Sequence, residues 1–148
     1  ADGAVSADEL MRLLNCACSS NNLDMSFVAV RQFSGPLSVD RSLLRKATFH
    51  LFRTLVRGIV GLKWMDTQCG AKVISGRSYR AVSERLVEDG FVFDVELLAT
   101  LQQGAWPITE LPIMWQEIPG SKLRLWRDLW FMTGGLMRIR RRLNTSDL

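Results

Sequence analysis

Hydrophobic spacing changes period twice along the first third of the chain. Ser6-Ala7-Asp8-Glu9 has the form of a capping box, and Leu10, Leu13 and Leu14 follow at helical spacing, which predicts a helix over 7–18. Residues 26–31, Ser-Phe-Val-Ala-Val-Arg, form a short apolar, β-prone run between turn-rich segments and read as a buried strand. Beyond the Ser34-Gly35-Pro36 loop a long helix is predicted over 40–59. Its apolar side carries Leu43, Leu44, Ala47, Leu51, Leu55 and Ile59, while Lys46, His50, Arg53 and Arg57 recur on another face.

The second half alternates strands and helices. A strand over 72–75 precedes a helix over 77–87, and residues 91–103 read as a loop entering another helix, stopped by Gly104 and Pro107. Residues 108–115 alternate as a strand does, with Pro112 marking an edge or bulged position. A last helix over 122–142 aligns Trp126, Leu129, Trp130, Thr133, Leu136 and Met137 along one side. No internal repeat, low-complexity tract or linker divides the chain. Mixed elements in this order predict an α/β layered fold.

Composition modifies this picture in three ways. At 148 residues the chain has the length of one domain, and its 47% hydrophobic content is on the rich side, which fits contact with a membrane or with a packing partner. No stretch approaches the roughly 18 unbroken apolar residues of a spanning helix. A net charge of +4 is too modest to argue for nucleic acid, but Arg138, Arg140, Arg141 and Arg142 crowd the last predicted turns. The three cysteines, Cys16, Cys18 and Cys69, have no metal-ligand spacing, and Cys16 and Cys18 point to different sides of a helix. A reduced, cytoplasmic-type protein without disulfides or zinc is the expectation.

Each candidate for chemistry has an ordinary structural reading beside it. Asp2-Gly3 is by itself a turn. Asp66 to Gly70 is a helix-to-strand loop in which the aspartate caps a neighbour. Asp94 and Glu96, two apart at a helix start, cannot share one face, and Asp94 suits a cap. Arg31, Arg41 and Arg45 carry guanidinium groups that suit a phosphate, or form a solvated face. Gly120-Ser121-Lys122 offers backbone and side-chain donors to an anion, as many turns do. The basic, Trp-bearing last helix suits a membrane interface as well as it suits a core-packed element with a solvated edge.

Three longer strings tie these positions together: Asp66-Thr67-Gln68-Cys69-Gly70-Ala71-Lys72, Phe93-Asp94-Val95-Glu96-Leu97-Leu98 and Trp115-Gln116-Glu117-Ile118-Pro119-Gly120-Ser121-Lys122-Leu123. In this order they resemble family 2 glycosyltransferases of the dolichyl-phosphate β-glucosyltransferase and bacterial polyprenyl-phosphate sugar transferase type. Ala1-Asp2-Gly3-Ala4 looks like the tail of that family's Asp-x-Asp-Gly-Ala metal motif. Ala29-Val30-Arg31 departs from the usual Gly-Ser-Arg.

The resemblance implies the second half of a GT-A catalytic domain over 1–148, without the nucleotide-binding first half, and a basic amphipathic helix over 122–142. It implies inverting hexosyl transfer from a nucleotide sugar of the UDP-glucose type to a polyprenyl or dolichyl phosphate. Asp2 would hold Mg²⁺ or Mn²⁺ against the donor diphosphate. Asp66, Gln68, Ser121 and Lys122 would contact the donor, Arg31, Arg41 and Arg45 the acceptor phosphate, and Asp94 would organise the attacking oxygen. Because a phosphate monoester has its second pKa at about 6, Asp94 need not remove a proton from such an acceptor. A saccharide hydroxyl would need a true base. The chain by itself is expected to transfer no sugar, to self-associate, and to lie peripherally on the cytoplasmic face of a membrane. A non-catalytic, membrane-associating or oligomerising module is the other reading.

Overall fold

A computed structural model describes residues 5–33, 39–115 and 125–145, with the backbone alone at 33, 39–46 and 125–129. Five longer elements surround a small sheet. Helix α1 (Ala7–Cys18) leads to strand β1 (Ser26–Phe33) and the long helix α2 (Val39–Val60). Then come the short strand β2 (Lys72–Val73), helix α3 (Gly76–Val82), helix α4 (Phe93–Gln103), strand β3 (Ile108–Trp115) and helix α5 (Leu125–Thr145). Two 3₁₀ turns, Ser83–Arg85 and Gly90–Val92, link α3 to α4. The predicted strand over 72–75 is shorter than expected because Ser75 already serves as the N-cap of α3.

Local chemistry accounts for the boundaries. The Ser6 side chain accepts from the Glu9 N–H, so the capping box starts α1 as its sequence indicates. Gly61, at φ +81°, closes α2 by donating its N–H to the Arg57 carbonyl at 3.1 Å, a left-handed ending that a side chain would disfavour. At the end of α4 the left-handed position falls on Ala105 (φ 54°), one residue past Gly104. Trp106 and Ala105 donate to the carbonyls of Leu101 (3.0 Å) and Gln102 (3.1 Å), the two bonds of a Schellman ending.

The sheet order is β2-β1-β3, with β1 antiparallel to β2 and parallel to β3. Among the described residues β3 is an edge strand, which suits Pro112, a residue with no N–H to give a further ladder. One sheet face places Val28 among Phe52, Val56 and Val60 of α2, Val95, Leu98 and Ala99 of α4, and Leu136 and Ile139 of α5. On the other face Phe27, Ala29 and Ile113 pack with Leu13 of α1 and with Cys69 and Ala71. Both faces are thus covered, as a strand pair in an α/β layer requires.

Three helices present different sides from those expected. In α2 the core takes Phe52, Val56 and Val60, with Leu55 and Ile59 at its margin, whereas Ala47 and Leu51 are exposed. Both stripes are apolar at helical spacing, and only the sheet and α5 select between them. In α1 only Leu13 is buried, leaving Leu10, Met11 and Leu14 about half exposed. Helix α5 buries Gly135, Leu136 and Ile139, flanked by Met132 and Leu143, and turns Trp130 (82% exposed) and Met137 outward. Gly135 decides this orientation: a Cβ there would meet Val92 Cγ2 at 2.8 Å, so the helix closes on the 90–92 turn along its glycine face.

Candidate active site

The segment between α2 and β2 carries the first of the motif strings and folds against the C-terminal half of β1. Asp66 is its pivot, with only 1% of its surface exposed. Its Oδ2 accepts from Arg31 Nε at 2.6 Å and from the Arg31 backbone N–H at 3.3 Å. Its Oδ1 accepts from Arg31 Nη2 at 2.9 Å and from the Gln68 N–H at 3.2 Å. A fork-to-fork guanidinium–carboxylate pair of this kind fixes both planes as well as both charges. The Arg31 guanidinium also lies 5.2 Å from the ring centres of Phe49 on α2 and Trp115 at the end of β3. Met65 donates its N–H to Glu110 of β3, which ties the same segment to the edge strand.

Asp94 stands in the first turn of α4 without capping it; the N-cap position is Val92 and no side chain caps the helix. Its Oδ2 instead lies 3.1 Å from Lys72 Nζ. The Lys72 side chain is only 6% exposed and also donates to the Cys69 carbonyl, so it bridges the motif loop to α4. Gln68 makes a second bridge, from Nε2 to the Phe91 carbonyl at 3.1 Å. Cys69 is fully buried beneath this network. Burial pushes its thiol up, with Asp66 adding to the rise against the Ala71 backbone hydrogen bond and the Arg31 and Lys72 charges, which suits a packing residue.

Arg31, Asp66, Gln68 and Asp94 therefore belong to one connected cluster, to which the structure adds Lys72. Lys72 closes the first motif string, but nothing in its spacing distinguished it. Asp66 reaches its neighbours through four intramolecular hydrogen bonds, so it shapes the site by holding Arg31 and the loop. Arg41 and Arg45 lie in the first turns of α2, where only the backbone is described. Asp2, Ser121 and Lys122 lie outside the described residues. Among the described residues no three His, Cys, Asp or Glu side chains come together as a metal-holding group.

A second charged cluster fastens α5, and here the predicted four-arginine face divides. Arg138 donates to Glu88 from Nε (2.9 Å) and Nη2 (2.6 Å), while Arg142 Nη2 reaches both Glu88 (2.7 Å) and Glu96 (2.6 Å). The other Glu96 oxygen accepts from the backbone N–H groups of Val87 (2.9 Å) and Glu88 (2.7 Å). Arg138 and Arg142 are thus tied to carboxylates of the chain, Arg138 while still exposed, as Arg140 and Arg141 are. Glu96 was visible in a motif string, but Glu88 had no sequence signal.

The Arg138 hydrogen bonds, opposed by burial and aided by Arg142, hold the Glu88 carboxyl at about 2, below its ordinary 4.5. A lowered folded-state pKa adds stability that is complete above pH 4.5 and is lost as pH falls toward 2. Each unit corresponds to about 1.4 kcal/mol. Because the Arg138 arm is 57% exposed, screening reduces the effect, and about 1 kcal/mol is expected. Thermal unfolding between pH 5 and 2 should show a shallower acid loss for Glu88→Gln than for the native chain. Parallel curves would exclude this role for Glu88.

Comparison with known proteins finds similar chains. The chain is 36% identical over 104 residues to the dolichyl-phosphate β-glucosyltransferase of Saccharomyces cerevisiae, covering 69% of this chain and 30% of that protein. It is 35% identical over 126 residues to the Dictyostelium discoideum enzyme of the same name, covering 84% of this chain and 35% of the relative. Over most of its length the chain is similar to part of these dolichyl-phosphate β-glucosyltransferases. The human dolichyl-phosphate β-glucosyltransferase is 36% identical over 83 residues, covering 56% of this chain and 26% of that protein. The chain thus spans about a third of the length of these curated relatives. No family profile matches it, and no solved structure matches it significantly. Its relatives are GT-A glycosyltransferases, and the mixed three-stranded sheet with flanking helices is the part of that α/β architecture the chain builds. No described helix is long and apolar enough to cross a membrane.

Proposed function

We propose that the protein carrying this domain transfers a glucosyl residue from a nucleotide sugar of the UDP-glucose type to a dolichyl or other polyprenyl phosphate, with inversion. The observation that carries this reading is the convergence of Arg31, Asp66, Gln68, Lys72 and Asp94 at one end of the sheet, in a chain whose relatives bear that enzymatic name. An acceptor phosphate oxygen attacks the anomeric carbon, the new C–O bond forms, and the bond to the donor diphosphate breaks with its electron pair leaving on the diphosphate. No proton need move, since the phosphate is already ionised near neutral pH.

In this proposal Asp94 orients the attacking group, and Arg31, with Arg41 and Arg45 from the start of α2, contacts the acceptor phosphate. Gln68 and Asp66 shape the donor side, and Ser121 with Lys122 close over the donor. Mg²⁺ or Mn²⁺, joined to the proposal only through Asp2, would neutralise charge on the leaving diphosphate. The chain serves as the second half of the catalytic domain and transfers no sugar without its first half.

The outward face of α5, with Trp130, Phe131 (70% exposed), Met137, Arg140 and Arg141, rests on an anionic membrane surface as a peripheral contact on the cytoplasmic side. The exposed Leu10, Met11 and Leu14 face of α1 serves self-association.

The test uses the intact protein with labelled UDP-glucose, Mg²⁺ or Mn²⁺, and polyprenyl phosphate in anionic vesicles. Organic-extractable labelled lipid is expected, and the 148-residue chain alone should give none. Transfer to free saccharides with no labelled lipid would overturn the acceptor assignment.

A further inference from the structure

A lysine ammonium that is 6% exposed and 3.1 Å from a carboxylate is placed for a purpose more specific than solubility. We infer that Lys72 is a positioning residue for Asp94: it fixes the carboxylate in place and cancels its charge, so that an anionic phosphate acceptor can be held beside it. The inference rests on the phosphate-acceptor reading given above.

Three observations support it. The Lys72 ammonium has two partners, the Cys69 carbonyl on the motif loop and Asp94 Oδ2 on α4, so its head group has a defined location. The second carboxylate of the cluster, Asp66, already has its own cation in Arg31 at 2.6 Å, which leaves Asp94 as the carboxylate that Lys72 serves. Asp94 itself is 33% exposed, and so remains open to a ligand while Lys72 lies beneath it.

Electrostatics turns this geometry into a signature. Without Lys72 the cluster presents an unbalanced negative charge where a phosphate must sit, and Coulomb repulsion scales with the acceptor's own charge. A phosphate monoester passes from one to two negative charges around pH 6. The logarithm of the loss should therefore roughly double as pH rises through that range. A lysine needed only for folding would impose no such dependence.

The experiment measures transfer by the intact protein and by its Lys72→Met and Lys72→Arg variants, with polyprenyl phosphate, between pH 5.5 and 7.5. For Lys72→Met the acceptor KM should rise about tenfold at pH 7.5 but only about threefold at pH 5.5, with donor KM little changed. Lys72→Arg should recover most of the loss. In an Asp94→Asn background, Lys72→Met should have little further effect on acceptor KM, because the charge it balances is gone. A pH-independent change in KM, or an equal effect of Lys72→Met with and without Asp94, would overturn the inference.

Thermal unfolding of the native protein, Lys72→Met, Asp94→Asn and the double variant gives a readout that needs no activity. Non-additive melting temperatures are expected for the Lys72–Asp94 pair, and additive ones would refute the contact itself. Absence of transfer by the native protein would count against the function and leave this coupling measurable.

Discussion

Arg31→Met is expected to destabilise the fold by about 3–5 kcal/mol, since it strips the cation from a carboxylate that stays buried. Asp66 is 1% exposed and would lose both side-chain bonds from Arg31, keeping only two backbone N–H donors. Against a total stability of typically about 5–15 kcal/mol, that is a large share. For a domain of this size it corresponds to a fall of about 10 °C in melting temperature. The double variant Arg31→Met/Asp66→Asn should recover much of the loss, because the neutral amide no longer needs a counter-charge. Denaturant unfolding of the two variants decides the point. A cost below about 1 kcal/mol for Arg31→Met would mean that the pair is solvated enough to be dispensable. Activity is expected to separate from stability here: the double variant should fold and still lose transfer, since Arg31 is also the proposed phosphate contact.

Glu96→Leu has the second largest expected effect, about 3–4 kcal/mol. The carboxylate is 3% exposed and receives three donors, the Val87 and Glu88 N–H groups and Arg142 Nη2. Leaving a buried donor unsatisfied costs about 1–3 kcal/mol, and leucine satisfies none of the three. The damage should be local in origin: the segment over 86–92 loses its attachment to α4, and α5 loses one of its two carboxylate partners. Amide hydrogen exchange at Val87 and Glu88 should accelerate well before exchange in β1 or β3 does. Unchanged protection at those two amides would show that Glu96 does not hold the segment. Glu96→Gln, whose carbonyl oxygen still accepts, should cost roughly half as much.

The two variants act through different elements, Arg31 on β1 and Glu96 in the first turn of α4. Arg31 and Asp66 hold the motif loop to the end of β1 and, through the stacked Phe49 and Trp115, to α2 and β3. Glu96, Glu88 and the two α5 arginines hold the back of α4 and its entry turn. Asp94 lies in the first turn of α4, so both clamps bear on where its carboxylate stands.

Much of this was legible without coordinates, for reasons that are local. The capping box marked the start of α1, the 26–31 run marked β1, and alternation with Pro112 marked β3 as an edge or bulged strand, because each depends on residues within a few positions of one another. The same locality limited the reading of faces. Helix α2 carries two apolar stripes and α5 carries both a Trp stripe and a Leu136–Ile139 stripe, and helical period alone ranks neither.

Chemistry divides along the same line. The residue types and order of the three motif strings pointed to a resemblance with family 2 glycosyltransferases and singled out Asp66, Gln68 and Asp94, while Arg31 was singled out by its place at the end of the first strand. Their partners were decided only by tertiary structure: Arg31 meets Asp66 across 35 positions, Arg138 meets Glu88 across 50, and Lys72 finds Asp94 on another element. A charged side chain in sequence is equally compatible with a solvated face, a ligand contact or an internal tie. Burial decides among these, because a carboxylate removed from water must find a cation or N–H donors nearby. Which groups leave water together depends on how distant elements pack, and no local pattern contains that information.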